Sequence, residues 1–261
     1  MEIKCIRADN PGLMTGAGTN TYLIGTDKYL LIDPGPSIES HVKKLTDLQV
    51  NLCGILLTHF HKDHAENAML LRNKLSVPIY AAMPSAYDPI SDVAIDYMLE
   101  DNAVINFGAD QLIAIHTPGH ASNHFCFFSP SINALFSGDH IMNGSTVVIN
   151  PPDGNMKAYI NSLNKIKMMR LETIFPGHGA PIEDPIKEIQ SLIDHRRKRE
   201  LRVIEVLNDQ PQSIDELVAT VYQDKSSLLF PIAKRSLEAH LIKLKIEGLA
   251  ILVNQQWRIK S

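Results

Sequence analysis

The sequence predicts an α/β protein with a smaller helical part at its C-terminal end, and three observations lead to this prediction. The apolar run at residues 54–57 is typical of a buried parallel strand, and apolar residues at helical spacing follow it as far as Leu75. Three later apolar strands also end in short turns that carry His or Asp. From residue 185 onward the apolar periodicity is helical until a short hairpin near the C-terminus.

Length and composition are those of an ordinary globular protein with a sizeable core: 261 residues, of which 44% are hydrophobic and 21% charged. The three cysteines, Cys5, Cys53 and Cys126, are odd in number and lack CxxC spacing, so we expect free thiols. The N-terminus has no apolar signal segment, and no window is long enough to span a membrane. These features predict a cytoplasmic protein that does not act at a membrane.

The net charge of −4 is distributed unevenly along the chain. From His195 to the end there are 12 basic and 8 acidic residues, whereas the preceding part has 13 basic and 21 acidic residues. Bound divalent cations would offset part of that negative excess. The acidic balance is therefore compatible with a metal site, and the C-terminal part is mildly basic.

The first strands are predicted at residues 2–8, 22–25 and 29–32, and the last two form a hairpin. The glycine-rich segment at residues 15–20 lacks the Lys-Ser/Thr of a phosphate-binding loop, so we expect a loop near the mouth of a site. Asp33 follows the third strand. It could form the turn there, or its carboxylate could orient neighbouring histidines.

A helix is predicted at residues 37–48, with Ser37 as its N-cap and His41 on its surface. The strand at residues 52–57 and the helix at residues 65–75 then form a β-turn-α unit. The next predicted elements are a strand at 77–80, an irregular segment with helical pieces at 84–104, strands at 111–116, 124–128, 134–136 and 173–175, and a helix at 156–170.

The turn after the strand at residues 52–57 contains four candidate metal ligands within six positions, namely His59, His61, Asp63 and His64. Neutral imidazole is the commonest metal ligand, and aspartate supplies a matching oxygen. Because alternate residues of an extended segment point the same way, His59 and His61 can bind one ion while Asp63 and His64 face another. The turn lies at the C-terminal end of a strand, where open α/β sheets bind their ligands.

Three later turns have the same form, since each is a small Gly-containing segment at the end of an apolar strand. They read Pro-Gly-His120, Ser-Gly-Asp139-His140 and Pro-Gly-His178. Each is a weak signal alone, but their ordered succession indicates distant ligands that the fold brings to one rim. Three further histidines beside these turns could support the ligands or could pack as ordinary residues: His116, His124 and His140.

The C-terminal segment has the order of a winged-helix domain. A long helix is predicted at residues 185–206, a second begins with a capping box from Ser213 to Glu216, and a third covers residues 231–247 before a two-stranded hairpin. The third helix carries or adjoins the basic residues Arg235, Lys243 and Lys245.

Two uses of this segment remain open at this point. In the first, it is a helical cap that could form one side of a substrate cleft or mediate homodimer contacts. In the second, its lysines and arginines could bind a nucleic-acid backbone. The basic run at residues 196–199 is typical of a solvated helix face and less often of a phosphate-binding one. The modest positive balance favours the cap.

Taken in order, these motifs resemble those of the metallo-beta-lactamase superfamily of metallohydrolases, across roughly the first 180 positions. The superfamily has an Asp after an early strand, the motif HxHxDH, a later His, a later Asp and a final His. The matching residues here are Asp33, His59, His61, Asp63, His64, His120, Asp139 and His178.

The resemblance implies an αββα sandwich in residues 1–184 and a small winged-helix-like α domain in residues 185–261. It also implies two zinc ions per chain, which Mn²⁺ or Fe²⁺ could replace, with the carboxylates Asp63 and Asp139 as catalytic residues. His59, His61 and His120 would hold the first ion, Asp63, His64 and His178 the second, and Asp139 would bridge them.

The implied activity is that of a dinuclear zinc hydrolase that uses a metal-bridging hydroxide on an ester, thioester or phosphodiester bond. The C-terminal domain makes the chain similar to beta-lactamase-like proteins, one of which is a single-strand endoribonuclease, and less closely to glyoxalase II thioesterases. A true beta-lactamase is disfavoured because those enzymes lack the bridging Asp that Asp139 would supply.

Three alternatives for the partner therefore stay open. The first is a small-molecule ester or thioester substrate, and the second is single-stranded RNA. The third is a non-catalytic, metal-dependent regulator that binds nucleic acid through its winged helix. The loops expected to line the pocket are those at residues 10–20, 84–104 and 143–155.

Overall fold

The computed structural model describes residues 1–224 and 226–260. Its first sheet has six strands in chain order, so that each strand lies beside the next. Strands β1 to β3 are antiparallel, and β3 to β6 are parallel. The six strands are β1 (Glu2–Arg7), β2 (Asn20–Gly25), β3 (Tyr29–Ile32), β4 (Leu52–Leu56), β5 (Ile79–Ala81) and β6 (Tyr97–Met98).

The second sheet has five strands in the order β11-β10-β9-β8-β7. Only the β10–β11 pair in this sheet is parallel. The β10 and β11 strands therefore end at the same edge, which matters for the two turns that follow them. The five strands are β7 (Val104–Phe107), β8 (Asp110–His116), β9 (Phe125–Ser129), β10 (Ala134–Gly138) and β11 (Thr173–Pro176).

The two sheets share one hydrophobic core, in which Ile24 and Ile55 of the first sheet cluster with Phe127 and Phe136 of the second. Helices cover the outer faces, which gives the αββα layers expected from the sequence. The helices are α1 (Glu39–Thr46), α2 (Lys62–Ala65), α3 (Ala68–Leu75), α4 (Met156–Lys167) and α5 (Pro185–Val206).

The long helix α5 connects the sandwich to the C-terminal elements. Its Ile189 and Ile193 pack in a second core cluster with α4, whereas its Val203 belongs to a third cluster that includes Leu237 and Trp257. The C-terminal elements are α6 (Ile214–Val221), a 3-10 helix (Ser227–Leu229), α7 (Phe230–Ile246), β12 (Ala250–Val253) and β13 (Gln256–Ile259). The predicted helices and hairpin of this segment are confirmed, including the capping box of Ser213 and Glu216.

Two predictions for the first helix are wrong. Helix α1 begins at Glu39 with Ile38 at its N-cap, and no side chain caps it. Ser37 precedes the N-cap, and its backbone N–H donates to the carboxylate of Glu66 (2.7 Å). His41 is fully buried rather than on the surface, and its Nε2 lies 3.0 Å from Thr21 Oγ1.

Two other segments also differ from prediction. The helix expected at residues 65–75 is split into α2 and α3, and Asn67 at the break donates from its side chain to the carbonyls of Pro34 and Pro36. Residues 84–104 contain the short strand β6 and the first residue of β7, and no helix. Across the described ranges of the chain, no helix combines the length and the apolar character that a membrane span requires.

We expect Gly119→Ala to destabilise the protein because the loop after β8 touches α4 there. The backbone φ at Gly119 is +151°, and an added Cβ would lie 2.4 Å from the Cα of Tyr159. Gly144 is the matched control, since its φ is +66° but an added Cβ would meet no described atom within 4 Å.

In urea unfolding, Gly144→Ala should cost about 1–2 kcal/mol from backbone strain alone. Gly119→Ala should cost more, because helix α4 must also shift. Equal losses in the two variants would show that the close approach to α4 is not a constraint.

Candidate metal centre

The turn after β4 is held by the turn after β3 through one carboxylate. The backbone N–H of Thr58 donates to Oδ1 of Asp33 (2.8 Å), and its hydroxyl donates to Oδ2 (2.7 Å). Oδ2 of Asp33 also lies 2.9 Å from Nδ1 of His64, and Nδ1 of His59 lies 2.9 Å from the Thr58 hydroxyl. Asp33 therefore fixes the rings of two histidines, so their Nε2 atoms face the site. It also forms the turn, with φ at +51°.

All seven residues predicted as metal ligands lie in one of two groups in the structure. The donor atoms within each group are within 4.8 Å of one another. Asp33 forms a further such group with His59 and His64, but both of its oxygens are already hydrogen-bonded as described above. The two groups of predicted ligands are His59, His61, His120 and Asp139, and Asp63, His64 and His178.

In the first group, imidazole nitrogens face one another closely. Nδ1 of His61 lies 3.0 Å from Nε2 of His59 and 3.0 Å from Nε2 of His120. Burial lowers the pKa of His59 well below its ordinary value, and burial together with the neighbouring His120 lowers the pKa of His61 to about 4. The rings are thus neutral at physiological pH, which is the form that binds metals.

In the second group, carboxylates accompany the imidazoles. Nε2 of His178 lies 3.2 Å from Oδ2 of Asp63 and 3.3 Å from Oδ1 of Asp139. Burial alone would lower the pKa of His178, but the charge of Asp139 and hydrogen bonds to both carboxylates outweigh it and raise the pKa to about 9. The carboxylates therefore attract positive charge, which a proton or a metal ion can supply.

Asp139 lies between the two groups. Its Oδ1 is 3.3 Å from Nε2 of both His64 and His178, and its Oδ2 is 3.7 Å from Nε2 of His120. Nε2 of His64 and Oδ1 of Asp139 are buried, and neither makes a well-aligned hydrogen bond within the described part of the chain. Buried polar atoms are normally satisfied, so a donor set with such atoms fits metal ions well.

Further contacts orient the remaining donors from behind. The ring nitrogen that faces away from the site is held by a backbone carbonyl in two of the histidines. Nδ1 of His120 lies 2.8 Å from the carbonyl oxygen of Val148, and Nδ1 of His178 lies 3.3 Å from that of Gly18. In addition, the hydroxyl of Thr19 donates to Oδ2 of Asp63 (3.1 Å).

The donors open into a cleft of about 820 Å³. Residues 13–17 and 142–153 contribute much of its lining, as predicted, whereas the segment at 84–104 contributes only Tyr87 among the described lining residues. The C-terminal part also lines the cleft, through Leu229, Ile232 and Arg235. This contribution agrees with the cap alternative, although the sequence did not indicate which of its residues would face the cleft.

Comparison with known proteins agrees with this geometry. The family model described as the Metallo-beta-lactamase superfamily matches residues 14–178, which is more than half of the chain. The chain belongs to the metallo-beta-lactamase superfamily. Members of this superfamily are hydrolases, and the chain is a metallo-hydrolase. A second model, the Beta-lactamase associated winged helix domain, matches residues 213–257 and confirms the predicted winged helix.

Two relatives illustrate the range of named proteins. The Beta-lactamase-like protein 2 homolog of Drosophila melanogaster is 32% identical over 257 residues, covering 92% of this chain and 86% of that protein. The Atrochrysone carboxyl ACP thioesterase of Aspergillus fumigatus is 30% identical over 210 residues, covering 77% of this chain and 63% of that protein.

Solved structures share the metallo-beta-lactamase fold. A metallo-beta-lactamase family protein from Thermus thermophilus has a TM-score of 0.83 at 18% identity and covers 98% of both chains. A protein solved in a di-iron-bound form has a TM-score of 0.58 at 25% identity, covering 70% of this chain and 96% of that one. The first of these aligns along almost the whole chain, so it includes the C-terminal domain.

In this metallo-beta-lactamase fold, Arg196 links α5 to the candidate metal centre. It was predicted to lie in a solvated basic run, but it is only 3% exposed. Its guanidinium donates to the carbonyl of Val147 and lies 5.2 Å from the ring centre of Tyr159. The next carbonyl, that of Val148, holds the ring of His120. Arg196 follows Ile189 and Ile193 on the buried face of α5, and this periodicity is the signal that could have identified it.

The three histidines beside the ligand turns have different surroundings. His124 and His140 are fully buried, and the His124 ring centre is 5.1 Å from that of His59. His116 is half-buried, with Nε2 3.1 Å from the carbonyl of Ser122. The ring of His124 therefore packs beside that of the candidate ligand His59, whereas the ring of His116 is held by a loop carbonyl.

We expect Arg196→Met to weaken metal binding without abolishing folding. Methionine can fill the space above Tyr159, but it cannot hold the Val147 carbonyl, so the loop that orients His120 loosens. Because contacts that orient a metal ligand from behind are worth roughly 10- to 100-fold in metal affinity, zinc affinity should fall by about that factor.

The matched control for this prediction is Arg197→Met, which removes the same charge from an exposed position on the same helix. Zinc affinity is measured by competition with a metal-binding dye, and folding by far-ultraviolet circular dichroism. If both variants bind zinc as the wild type does, the proposed link between α5 and His120 is wrong.

Metal affinity should rise between pH 6.5 and pH 9. In the metal-free protein the pKa of His178 is raised from 6.5 to about 9, so its proton must leave before a metal can bind. The raised pKa of His178 also contributes to the free energy of unfolding of the metal-free protein. This contribution is complete below pH 6.5 and is lost as the pH rises through 9.

Calorimetry of zinc binding in buffers of different ionisation enthalpy counts the released protons. Burial alone would lower the pKa of His64, but the charges of Asp139, Asp63 and Asp33 outweigh it and raise this pKa well above its ordinary value too. At pH 7.5 we therefore expect zinc binding to release protons from both His64 and His178, and His178→Gln to lower the number released. Binding that releases no proton and does not depend on pH over this interval would show that His178 is neutral without metal.

Proposed function

We propose that the chain is a dinuclear metal-dependent hydrolase of small ester or thioester substrates. The observation that supports this most directly is the position of Asp139, whose two oxygens face the two donor groups. A shared carboxylate would keep two ions close together at the floor of one cleft. In this proposal His59, His61 and His120 hold one ion, Asp63, His64 and His178 hold the other, and Asp139 bridges them.

The residues around this site have separable tasks. Bound divalent ions would supply Lewis acidity and, by lowering the pKa of water to about 7, a nucleophile at neutral pH. Burial favours the neutral form of Asp139, but the charges of His64 and His178 outweigh it and hold the pKa of Asp139 well below its ordinary value. Asp139 therefore stays ionised as a ligand. The carbonyls and hydroxyls behind the histidines keep their rings oriented.

We propose zinc as the metal. The donor set of nitrogen and carboxylate oxygen atoms suits zinc, and it also accepts manganese or iron. The di-iron-bound relative in the same fold makes iron the main competitor.

We also propose that residues 1–184 form the catalytic domain and residues 185–261 a C-terminal domain that closes one side of the cleft. The separate core cluster of Leu217, Leu237 and Trp257 supports this division. So does the contribution of Leu229 and Ile232 to the cleft lining.

Three of the basic residues expected to favour RNA are engaged within the protein. Arg196 is buried, and Arg199 donates to the Val221 carbonyl (2.6 Å) and lies 4.1 Å from the ring centre of Tyr222. Lys243 pairs with Glu200 and Glu247. These contacts leave fewer free cations for phosphates than the sequence suggested, so an ester or thioester is the better-supported substrate.

Hydrolysis should depend on metal and on Asp139. We expect the metal-stripped protein to lack thioesterase and esterase turnover, and zinc or iron to restore it. Asp139→Asn keeps the shape of the side chain but removes the negative charge proposed to bridge the two ions, so kcat should fall on the order of 1,000-fold.

Asp92→Asn is the control for this substitution, because it removes an equal charge from an exposed position outside the cleft lining. Turnover is followed by thiol release from acyl thioesters and by cleavage of chromogenic esters, with metal content measured on the same samples. Full activity without stoichiometric metal, or in Asp139→Asn, would contradict the proposal.

A further inference from the structure

The cleft has an aliphatic mouth that exposes large apolar side chains. Leu13 is 73% exposed and Met14 53% exposed, and both line the cleft from the loop after β1. From the C-terminal domain, Leu229 and Ile232 line the same cleft. Exposed apolar groups around a concave site cost free energy in water and are typical of a surface that binds an apolar ligand.

Arg235 places one positive charge in this cleft. It lies three residues after Ile232 on α7, so the two side chains share a face of the helix. Among the described residues that line the cleft it is the only Lys or Arg. The other charge outside the metal centre, Asp153, is hydrogen-bonded to Ser122.

The guanidinium of Arg235 is available to a ligand. The side chain is exposed, and it forms no hydrogen bond or ion pair with residues 1–224 or 226–260. Two other basic residues of the same helix are paired, Lys234 with Asp215 (2.6 Å) and Lys243 with Glu200 (2.7 Å). A planar guanidinium with free donors suits a carboxylate or phosphate, which it can bind through two parallel hydrogen bonds.

We propose that the substrate is an acyl thioester or ester that carries a carboxylate or phosphate, and that Arg235 selects it by binding that anion. The aliphatic mouth takes the acyl chain, and the metal centre takes the bond to be hydrolysed. This inference rests on the proposed function. The anion can belong to the acyl part, as a second carboxylate, or to the leaving thiol, as the phosphate of a phosphopantetheine group.

The lining favours an acyl chain over single-stranded RNA. Proteins that bind single strands stack bases on aromatic side chains and follow the backbone with several cations. Tyr87 is the only aromatic residue other than histidine among the described lining residues, and Arg235 the only Lys or Arg. Leu, Met and Ile instead match an alkyl chain.

The test uses the metal-loaded full chain and three thioesters of equal acyl length. One is neutral, one has a terminal carboxylate on the acyl chain, and one is the thioester of phosphopantetheine. Arg235→Ala should lower kcat/KM for at least one anionic thioester by on the order of 10- to 100-fold, mainly through KM, and leave the neutral one nearly unchanged. The thioester that responds identifies the source of the anion.

Two further variants sharpen the result. Arg235→Lys keeps the positive charge but lacks the two parallel N–H donors of the guanidinium. It should therefore retain part of the kcat/KM that Arg235→Ala loses for the anionic thioester. Lys245→Ala is the matched control, because it removes one charge from an exposed position on the same helix that does not line the cleft. It should behave as the wild type with all three thioesters. Equal effects of Arg235→Ala on neutral and anionic thioesters, or no effect, would overturn the inference.

A binding measurement separates this inference from the proposed function. Non-hydrolysable thioether analogues of the three compounds are titrated by calorimetry into the wild type and Arg235→Ala. If no thioester or ester is hydrolysed but an anionic analogue binds in an Arg235-dependent manner, the hydrolase proposal fails and the selection by Arg235 stands. If the neutral thioester is hydrolysed and no analogue depends on Arg235, the selection fails and the hydrolase proposal stands. If the calorimeter detects no binding of any analogue, the selection by Arg235 is likewise rejected.

Discussion

The structure depends on holding electron-rich donor atoms close together. A ring nitrogen of His61 lies 3.0 Å from a ring nitrogen of both His59 and His120, and two carboxylates lie nearby. Without a metal, only a shared proton or a protonated histidine can keep such lone pairs close together, so the surrounding fold has to impose their positions. Asp33, Thr58 and a set of backbone carbonyls do this by fixing the outward side of the donors.

The two sheets meet at this site through their backbones. The N–H of Asn20 in β2 donates to the carbonyl of Gly177, and the N–H of Gly177 donates to the carbonyl of Gly138 at the end of β10, both at 2.8 Å. An added Cβ at Gly177 would lie 2.7 Å from both Oδ1 of Asp139 and Cε1 of His64. Glycine is therefore required at position 177, because a side chain there would displace the candidate donors Asp139 and His64.

Helix α5 and the winged helix reach the site from two directions. Arg196 of α5 holds the loop that orients His120, while the start of α7 and the residue before it supply Ile232, Arg235 and Leu229 to the cleft. Elements that hold the His120 loop and also form part of the cleft wall couple the two parts of the chain. The winged helix of this protein is therefore suited to shaping the substrate cleft, and several of its basic side chains are paired within the protein.

The sequence by itself determined the α/β class, nearly all of the strands, and the donor residues that the structure gathers, because apolar periodicity and ligand chemistry are local properties. The layered arrangement followed from the resemblance to the superfamily. It misassigned His41, Ser37 and Arg196, whose surroundings depend on residues far away in the chain. Only the tertiary structure decided which ring nitrogen of each histidine faces the site and that Asp139 lies between the two groups. It also decided that Arg235 lines the cleft, since packing between distant segments sets which side chains share a space.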